Sequence, residues 1–534
     1  MLIDLKAGYA QAAYEADVCI VGAGAAGVTL ARRLVSRHCR VLLVESGGTD
    51  YEAEVATLAT GDIAGAPYYE LENARLRFFG GSTAIWGGRC AELDDIDFAA
   101  RDWVPWSGWP FGKDALIPYY KRAREQLQLD VLPTLAQFWS TIGIEPPALG
   151  TGVMSTALWQ FDDCWDRFGF KANASLSQRE GMTILLHATV TGLDLDPSGT
   201  AVVAARLRTV SGKTARVRAR SFVLAAGGLE NPRILLASNT QATQGIGNDN
   251  DQVGRYFMEH PHARGGRIHL NSPWEMLGAY RQSFRLYGRR YAATLRASDD
   301  LQRNQRILNT SFTPRVRRHE GAKQNAMLQL YSTVKHEVSP TQNGRLLWRV
   351  VRNLANWFVE KTDPLLPWLQ LKSDARGMYM YVRAEQAPNP NSRVRLSSQR
   401  DACDMPTIAL DWRFSEIDKR SVRVMVSALD AELRASRVGS VEPAEWLLDG
   451  GIDWQPDPLI GQHAYGGFHH MGTTRMSDYA RSGVVNADCR VHGIDNLFVA
   501  GSSVFPTSGW ANPTLTILAL AHRLADHLEL RVLR

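Results

Sequence analysis

The stretch Asp17-Val-Cys-Ile-Val-Gly22-Ala-Gly24-Ala-Ala-Gly27-Val-Thr-Leu-Ala-Arg-Arg-Leu-Val35 decides the fold. Val18–Val21 is a short apolar run that reads as a buried strand. The glycines follow as G-x-G-x-x-G, and Val28, Leu30, Ala31, Leu34 and Val35 then recur at helical spacing. A second apolar run, Val41–Val44, ends in Glu45, about 20 residues beyond Gly24. This is a complete β-α-β unit with a part for each task of a dinucleotide site. Gly22 permits the tight turn, Gly24 lets backbone approach a pyrophosphate, and Gly27 lets helix and strand pack closely. The helix N-terminus offers free N–H groups to the anion, and Glu45 can accept from ribose hydroxyls. The motif alone does not choose between FAD and NAD.

A second glycine cluster runs Arg77-Phe-Phe-Gly80-Gly81-Ser82-Thr83-Ala-Ile85-Trp86-Gly87-Gly88-Arg89. Its glycines and hydroxyls suit a loop laid against a flat ligand, and its four large apolar side chains argue against a fully solvated loop. Trp103 to Pro110 reads as an irregular aromatic wall, equally suited to core packing and to substrate contact. Further on, Thr183–Val190 is strand-like, and Ala201–Val217 has hairpin character around Ser211-Gly212. Phe222–Ala226 reads as a buried strand ending in Gly227-Gly228, with a helix from Pro232 to Ser238. Glycines at strand ends mark where open α/β sheets bind ligands.

From about residue 263 to 450 the glycine-rich texture gives way to strand-like segments (Met378–Arg383, Ser392–Leu396) and a charged helix (Glu416–Arg434). Leu346–Leu371 joins three tryptophans and many leucines to Arg349, Arg352 and Lys361, with Arg345 just ahead of it. A helix of that kind can lie on a membrane surface, but Pro364 and Pro367 close it, which favours a core or oligomer helix.

The chain has 534 residues, 45% hydrophobic and 22% charged, with net charge +5. That is the composition of an ordinary globular protein of a few domains. The excess is too small for a nucleic-acid binder or to argue for an acidic substrate. The six cysteines are scattered, so neither a disulfide scaffold nor a metal site is expected. The chain shows neither a signal-like N-terminus nor an 18-residue apolar run, which gives a cytoplasmic expectation. There is no P-loop and no G-x-S-x-G elbow.

The C-terminal stretch is the most informative. It holds Phe468-His469-His470-Met-Gly472-Thr473, then Leu497-Phe-Val-Ala500-Gly501-Ser502, and Trp510-Ala-Asn512-Pro513-Thr514 ahead of an apolar helical run. Pro513 suits the first helical position and Asn512 the N-cap before it. His469 and His470 are adjacent, so on extended backbone only one of them can face a given site. Neutral imidazole is a common general base near pH 7, although a lone histidine is more often structural.

These four ordered motifs resemble the glucose–methanol–choline (GMC) family of flavin-dependent oxidoreductases, over most of the chain. The middle matches loosely through Glu385-Gln-Ala-Pro-Asn-Pro-Asn-Ser-Arg393. The resemblance implies FAD, and places His469 at the family's catalytic histidine and Asn512 at its second catalytic position. The His plus Asn-Pro-Thr form looks most like the pyranose oxidase and bacterial sugar-dehydrogenase branches. Expected contacts to FAD are Gly22, Gly24, Gly27, Glu45, Gly80, Gly81, Ser82, Thr83, Trp86, Gly87, Val190, Ala226, Gly227, Gly501, Ser502, Asn512, Pro513 and Thr514. The last helix would turn its positive end to the flavin's pyrimidine edge. Some relatives attach FAD covalently through a histidine where this chain has Ile85, so dissociable FAD is expected.

The expected fold class is α/β: a Rossmann-type FAD-binding domain assembled from discontinuous segments (1–90, 181–262, 451–534), with an α+β substrate domain on an antiparallel sheet (91–180, 263–450). The expected reaction is oxidation of an alcohol, on this resemblance a sugar or glycoside hydroxyl, with oxygen, a quinone or a protein carrier taking the electrons. The alternatives are a non-sugar alcohol, a non-redox lyase of the same fold, and a flavoprotein without catalysis. Trp106, Trp109 and Trp510 suit either a sugar face or a core.

Overall fold

The computed structural model describes residues 1–7, 11–36, 38–150, 152–164, 166–317, 340–373, 376–461 and 463–532. The opening motif folds as a strand Ala13–Val21, a helix Ala25–Leu34 and a strand Val41–Val44. Val18–Val21 and Val41–Val44 are buried throughout and pair in parallel, Val18 opposite Val41 and Val21 opposite Val44. Unbroken apolar runs of this kind belong to a parallel sheet covered on both faces.

That sheet has eight strands. Leu2–Asp4, Met182–Leu186, Val41–Val44, Ala13–Val21 and Thr214–Leu224 lie side by side in parallel, and Leu497–Val499 pairs in parallel with the last of these. Val202–Arg208 and Thr189–Leu195 extend it antiparallel. The strand expected at Phe222 is the inner end of Thr214–Leu224, the second arm of the hairpin. The strand expected over Thr183–Val190 is broken: His187 takes φ 53, its ring bonded to Asp4 and Glu52, and the chain turns there into the antiparallel part. The closing helix Thr514–Val532 packs on Ala25–Leu34 and on Ile117–Gln126, so residues 116–127 join the parallel sheet's core.

A second eight-stranded sheet is wholly antiparallel. Its order is Gly439–Pro443, His262–Leu270, Met378–Arg383, Ser311–Val316, Arg289–Ala297, Met154–Phe161 and Arg89–Cys90, with Ser283–Leu286 hairpinned to Arg289–Ala297. One face is closed by the helix Glu416–Ala435. A capping box of Ser415 and Asp418 starts that helix, and Val422, Met425, Val426, Leu429 and Leu433 form its buried stripe. On Met378–Arg383, Met378, Met380 and Val382 enter this core, so Tyr379, Tyr381 and Arg383 face the other way.

The helix read from Leu346 onward is present as Gln342–Thr362 and Leu365–Lys372, but it is not a core helix. Leu354 (63% exposed), Trp357 and Phe358 face outward, while Arg345 is its buried residue, paired with Asp50 at 2.7 Å. The break at Pro364 follows expectation, and of the core and oligomer readings the exposed face excludes the core one. Among the described residues no helix is long and apolar enough to cross a membrane.

Candidate active site

At the carboxyl ends of the parallel strands the glycines fall into two kinds. Gly22 has φ +104, and a Cβ there would lie 2.6 Å from the Ala225 carbonyl oxygen. A Cβ on Gly27 would lie 1.9 Å from that of Gly22. Those two glycines are required by the protein's own packing. Gly24, Gly227 and Gly501 differ, because a Cβ on any of them meets nothing within 4 Å. The helix after Gly24 has no side-chain cap and no acidic residue in its first turn, which leaves its N–H groups for an anion.

Glu45, buried beside this turn, accepts from the Ala23 N–H at 2.9 Å and the Gly47 N–H at 3.0 Å, and retains lone-pair capacity for a further hydroxyl. The Gly80 N–H donates to the Ala23 carbonyl at 2.8 Å, which brings the second glycine loop to the first. In that loop Ser82 accepts from the Leu76 N–H, Thr83 donates to the Gly80 carbonyl, Gly87 is exposed and Trp86 packs on the core. Ile85 is 48% exposed and carries no nucleophile. Val190 lies further along, packed in the sheet's core opposite Leu207. An extended groove of bare backbone with an acidic residue at one end fits FAD.

The same strand ends hold the histidine loop. The Ala226 N–H donates to Asn231 Oδ1, and Asn231 Nδ2 donates to the Ala500 carbonyl and Ser503 Oγ, tying two strand ends together. Ser502 Oγ donates to the His470 carbonyl at 2.7 Å, and Thr473 Oγ1 donates to that of Gly228. Phe468, just before the histidines, takes φ 61, held by stacking of its ring on Tyr69 at 4.1 Å. Non-glycine backbone in that region is kept only where its surroundings enforce it.

His469 and Asn512 meet: Asn512 Nδ2 lies 3.1 Å from His469 Nε2. The other ring nitrogen, Nδ1, is 2.8 Å from His260 Nδ1. The proton positions follow. His260 Nε2 faces the carbonyls of Gly509 (2.8 Å) and Ser508 (3.3 Å), which can only accept, so it carries hydrogen. Neutral His260 then accepts at Nδ1, His469 donates from Nδ1, and the lone pair of His469 sits on Nε2 beside the Asn512 amide. Burial, and secondarily the neighbouring histidines, push His469 well below the usual imidazole range. Burial lowers His260 to about 4, against the pull of the Gly509 and Ser508 carbonyls. Both rings are neutral near pH 7.

Glu259 holds the loop from beneath. It accepts from the N–H groups of His260, Gly467 and His469 and from Tyr68 Oη at 2.6 Å; burial raises it to about 7. His470 points the other way, to Tyr68 Oη at 2.9 Å. Since Tyr68 donates to Glu259, His470 Nε2 donates to Tyr68, and His470 is a strut. Glu259 and His260 escaped the sequence reading; the signal for them was Met258-Glu259-His260-Pro261-His262, two histidines beside an acid in an apolar run.

Asn512 is not an N-cap. The Pro513 carbonyl accepts the first helical bond, from the Ile517 N–H, so the helix starts one residue later than expected and the Asn512 amide is free to face His469. Thr514 begins the helix, and this end lies beside the site. Of the three tryptophans, Trp109 is core, donating to Thr507 Oγ1 at 2.9 Å. Trp510 is buried and donates to Asp94, and Trp106 is partly exposed beside Tyr256. Among the described residues no three His, Cys, Asp or Glu side chains are placed to hold a metal ion.

Strand-end glycines with open space above them and an uncharged imidazole on a neighbouring loop suit a FAD-dependent oxidoreductase, and the family comparisons assign that class. Residues 17–246 match the family model described as FAD dependent oxidoreductase, and residues 388–521 match that described as GMC oxidoreductase. The chain thus carries an FAD-dependent oxidoreductase domain followed by a GMC oxidoreductase C-terminal domain. It is 22% identical to paromamine 6'-oxidase of Streptomyces fradiae over 95% of this chain and 90% of that protein. To the fructose dehydrogenase large subunit of Gluconobacter japonicus it is 25% identical, over 66% of this chain and 54% of that one. Its fold is that of pyridoxine 4-oxidase from Mesorbium loti, with TM-score 0.53, 18% identity, and 96% and 99% of the two chains covered.

Proposed function

We propose that the protein oxidises an alcohol, in the first instance a sugar or glycoside hydroxyl, to the carbonyl, with His469 as the base and Asn512 as its partner on the substrate oxygen. The observation that carries this is the neutral His469 ring with its Nε2 facing the Asn512 amide at 3.1 Å, both side chains partly buried. An alcohol C–H is a poor hydride donor until the O–H proton is withdrawn, and a neutral imidazole within hydrogen-bond reach withdraws it. Asn512 Nδ2 donates to the same oxygen and supports charge developing there. The His260 chain to the Gly509 carbonyl holds His469 in the tautomer that presents Nε2, so His260 is a positioning residue. Bound FAD supplies the hydride acceptor.

The cofactor residues proposed are those along this groove of bare backbone: Gly24, Glu45, Gly81, Gly227 and Gly501, with the helix ends at Ala25 and Thr514. FAD is held without a covalent bond, since Ile85 offers no nucleophile. Sugar over other alcohols is supported by the names of two relatives, paromamine 6'-oxidase and fructose dehydrogenase. A lyase reading gains nothing from them. A cytoplasmic setting is our reading of six free thiols, five of them buried.

The test is an anaerobic titration of the yellow protein with free sugars, glycosides, and aliphatic and aromatic alcohols, followed by air. Bleaching by one class is expected and names the substrate type; rapid recolouring marks an oxidase, slow recolouring a dehydrogenase. A flavin that none of these compounds bleaches contradicts the reading.

A further inference from the structure

The inner face of the antiparallel sheet, opposite the one covered by the helix Glu416–Ala435, meets the active-site segment where Trp159 packs on Trp510, ring centroids 5.6 Å apart. Trp510 is two residues from Asn512. On this face the register sets Arg383 beside His262 and Ser311, Arg315 beside Tyr379, and Arg89 beside Phe161. Two guanidiniums lie over the Trp159 indole, Arg89 at 5.5 Å and Arg383 at 5.3 Å from its centroid, and Arg383 also covers Tyr381 at 4.6 Å. Tyr381 Oη reaches His262 Nδ1 at 2.9 Å, which links this wall to the histidine cluster.

The neighbouring arginines are matched with carboxylates. Arg290 has Asp163, Arg281 has Asp363, Arg264 and Arg317 share Asp457, and Arg296 has Asp94 and Asp299. Among the described residues Arg89, Arg315 and Arg383 have no carboxylate within 4 Å, and Arg383 has a 3.4 Å bond to Thr313 as its side-chain hydrogen bond. Burial and mutual repulsion push Arg89 down to about 9 and Arg315 to about 10, and burial lowers Arg383. All three keep part of their surface open. Three like charges drawn inward, two of them (Arg89 and Arg383) held against aromatic faces, cost folding energy unless an anion joins them. The cradle for the FAD pyrophosphate is on the other sheet, at Gly24, and does not supply that anion.

We propose that this wall is the anion-binding half of the substrate site: the alcohol oxidised carries a carboxylate or phosphate group, held by Arg89 and Arg383 with Arg315 behind them, while its hydroxyl meets His469 and Asn512. A planar guanidinium pair can grip either group through two oxygens. This proposal rests on the reading of His469 and Asn512 as the reacting pair, and its test is arranged in two arms so that the two can fail separately.

In the first arm, holoprotein is mixed anaerobically with matched compounds: glucose against glucuronate and glucose 6-phosphate, and glycerol against glycerate and glycerol 3-phosphate. In at least one set an anionic member should exceed its neutral partner in kcat/KM for flavin reduction by about tenfold or more. That ratio should fall toward one in R383Q and be largely kept in R383K. The carboxylate and phosphate members tell the two sources apart. Neutral compounds matching or exceeding their anionic partners in every set that reacts would overturn the proposal. In the second arm, tryptophan fluorescence of the holoprotein is followed during titration with malonate and with inorganic phosphate at fixed ionic strength, because both guanidiniums lie over the Trp159 indole. A saturable change that R383Q and R89Q abolish supports the anion site even if no alcohol bleaches the flavin. No saturable change, or one that survives both substitutions, overturns it.

Discussion

The carboxyl edge of the parallel sheet and the inner face of the antiparallel sheet are built on opposite plans. The first is made of absent side chains: Gly24, Gly227 and Gly501 leave open space, and uncapped N–H groups point into it. The second is made of large side chains, Arg89, Trp159, Arg315, Tyr381 and Arg383, brought together from four strands. A cofactor shared by many proteins can be held by backbone, whose geometry a short local motif determines. A particular substrate must be read by side chains, and the sheet gathers these from positions far apart in sequence.

Substitutions at the two kinds of glycine give the largest contrast. Gly27→Val places its Cβ onto the Gly22 carbonyl and should yield no folded protein. Gly24→Val meets no protein atom within 4 Å at its Cβ and should yield folded but colourless protein, since it fills the cofactor's space. Circular dichroism and the flavin absorbance of the two purified variants check this. If both fold and stay yellow, the division between packing glycines and cradle glycines is wrong.

A buried ion pair beside the active-site segment is next. Arg101 and Glu385 form a fully buried ion pair that also receives the Asn309 N–H, close to the segment carrying Ser508 and Gly509. Arg101→Ala leaves Glu385 charged without a partner and should cost about 3–5 kcal/mol of stability, measured by denaturant unfolding. A loss well under about 1 kcal/mol would show that the pair contributes little to holding these segments together.

Smaller effects test the base. His260→Ala should slow flavin reduction by about 10²-fold, less than loss of His469 itself, and should move the pH profile, because the tautomer of His469 is then no longer imposed. In the wild type the burial of His469 disfavours its cation. The rate should therefore fall only at acid pH, below the usual imidazole range, and be flat from about pH 7 upward. A rising limb at or above about pH 7 would contradict the neutral ring. Acid precipitation should release all the yellow colour; colour kept in the pellet would show a covalent link that Ile85 cannot make.

What the sequence disclosed follows the same division. The strand Val41–Val44 and the glycine turn Gly22–Gly27 were legible because each sits in a local pattern with a local cause, whereas His469 and Asn512 were singled out only by the family resemblance. His260 was not, because its role exists only through the carbonyls of Ser508 and Gly509, some 250 residues away. The arginine wall was invisible to a net charge of +5 that averages over the whole chain. Asn512 was misread as a cap, because its partner His469 reaches it from another loop and the helix starts only at Thr514, with Pro513 in the flanking position.

The central claim is that His469 Nε2 takes the hydroxyl proton. Anaerobic rapid mixing of wild type and His469→Ala, each with FAD loaded, against the alcohol that reduces the wild type fastest tests it directly. The flavin-reduction rate should fall by about 10²–10⁴-fold in the variant with its oxidised spectrum unchanged. A variant reduced at close to the wild-type rate would remove His469 from that role.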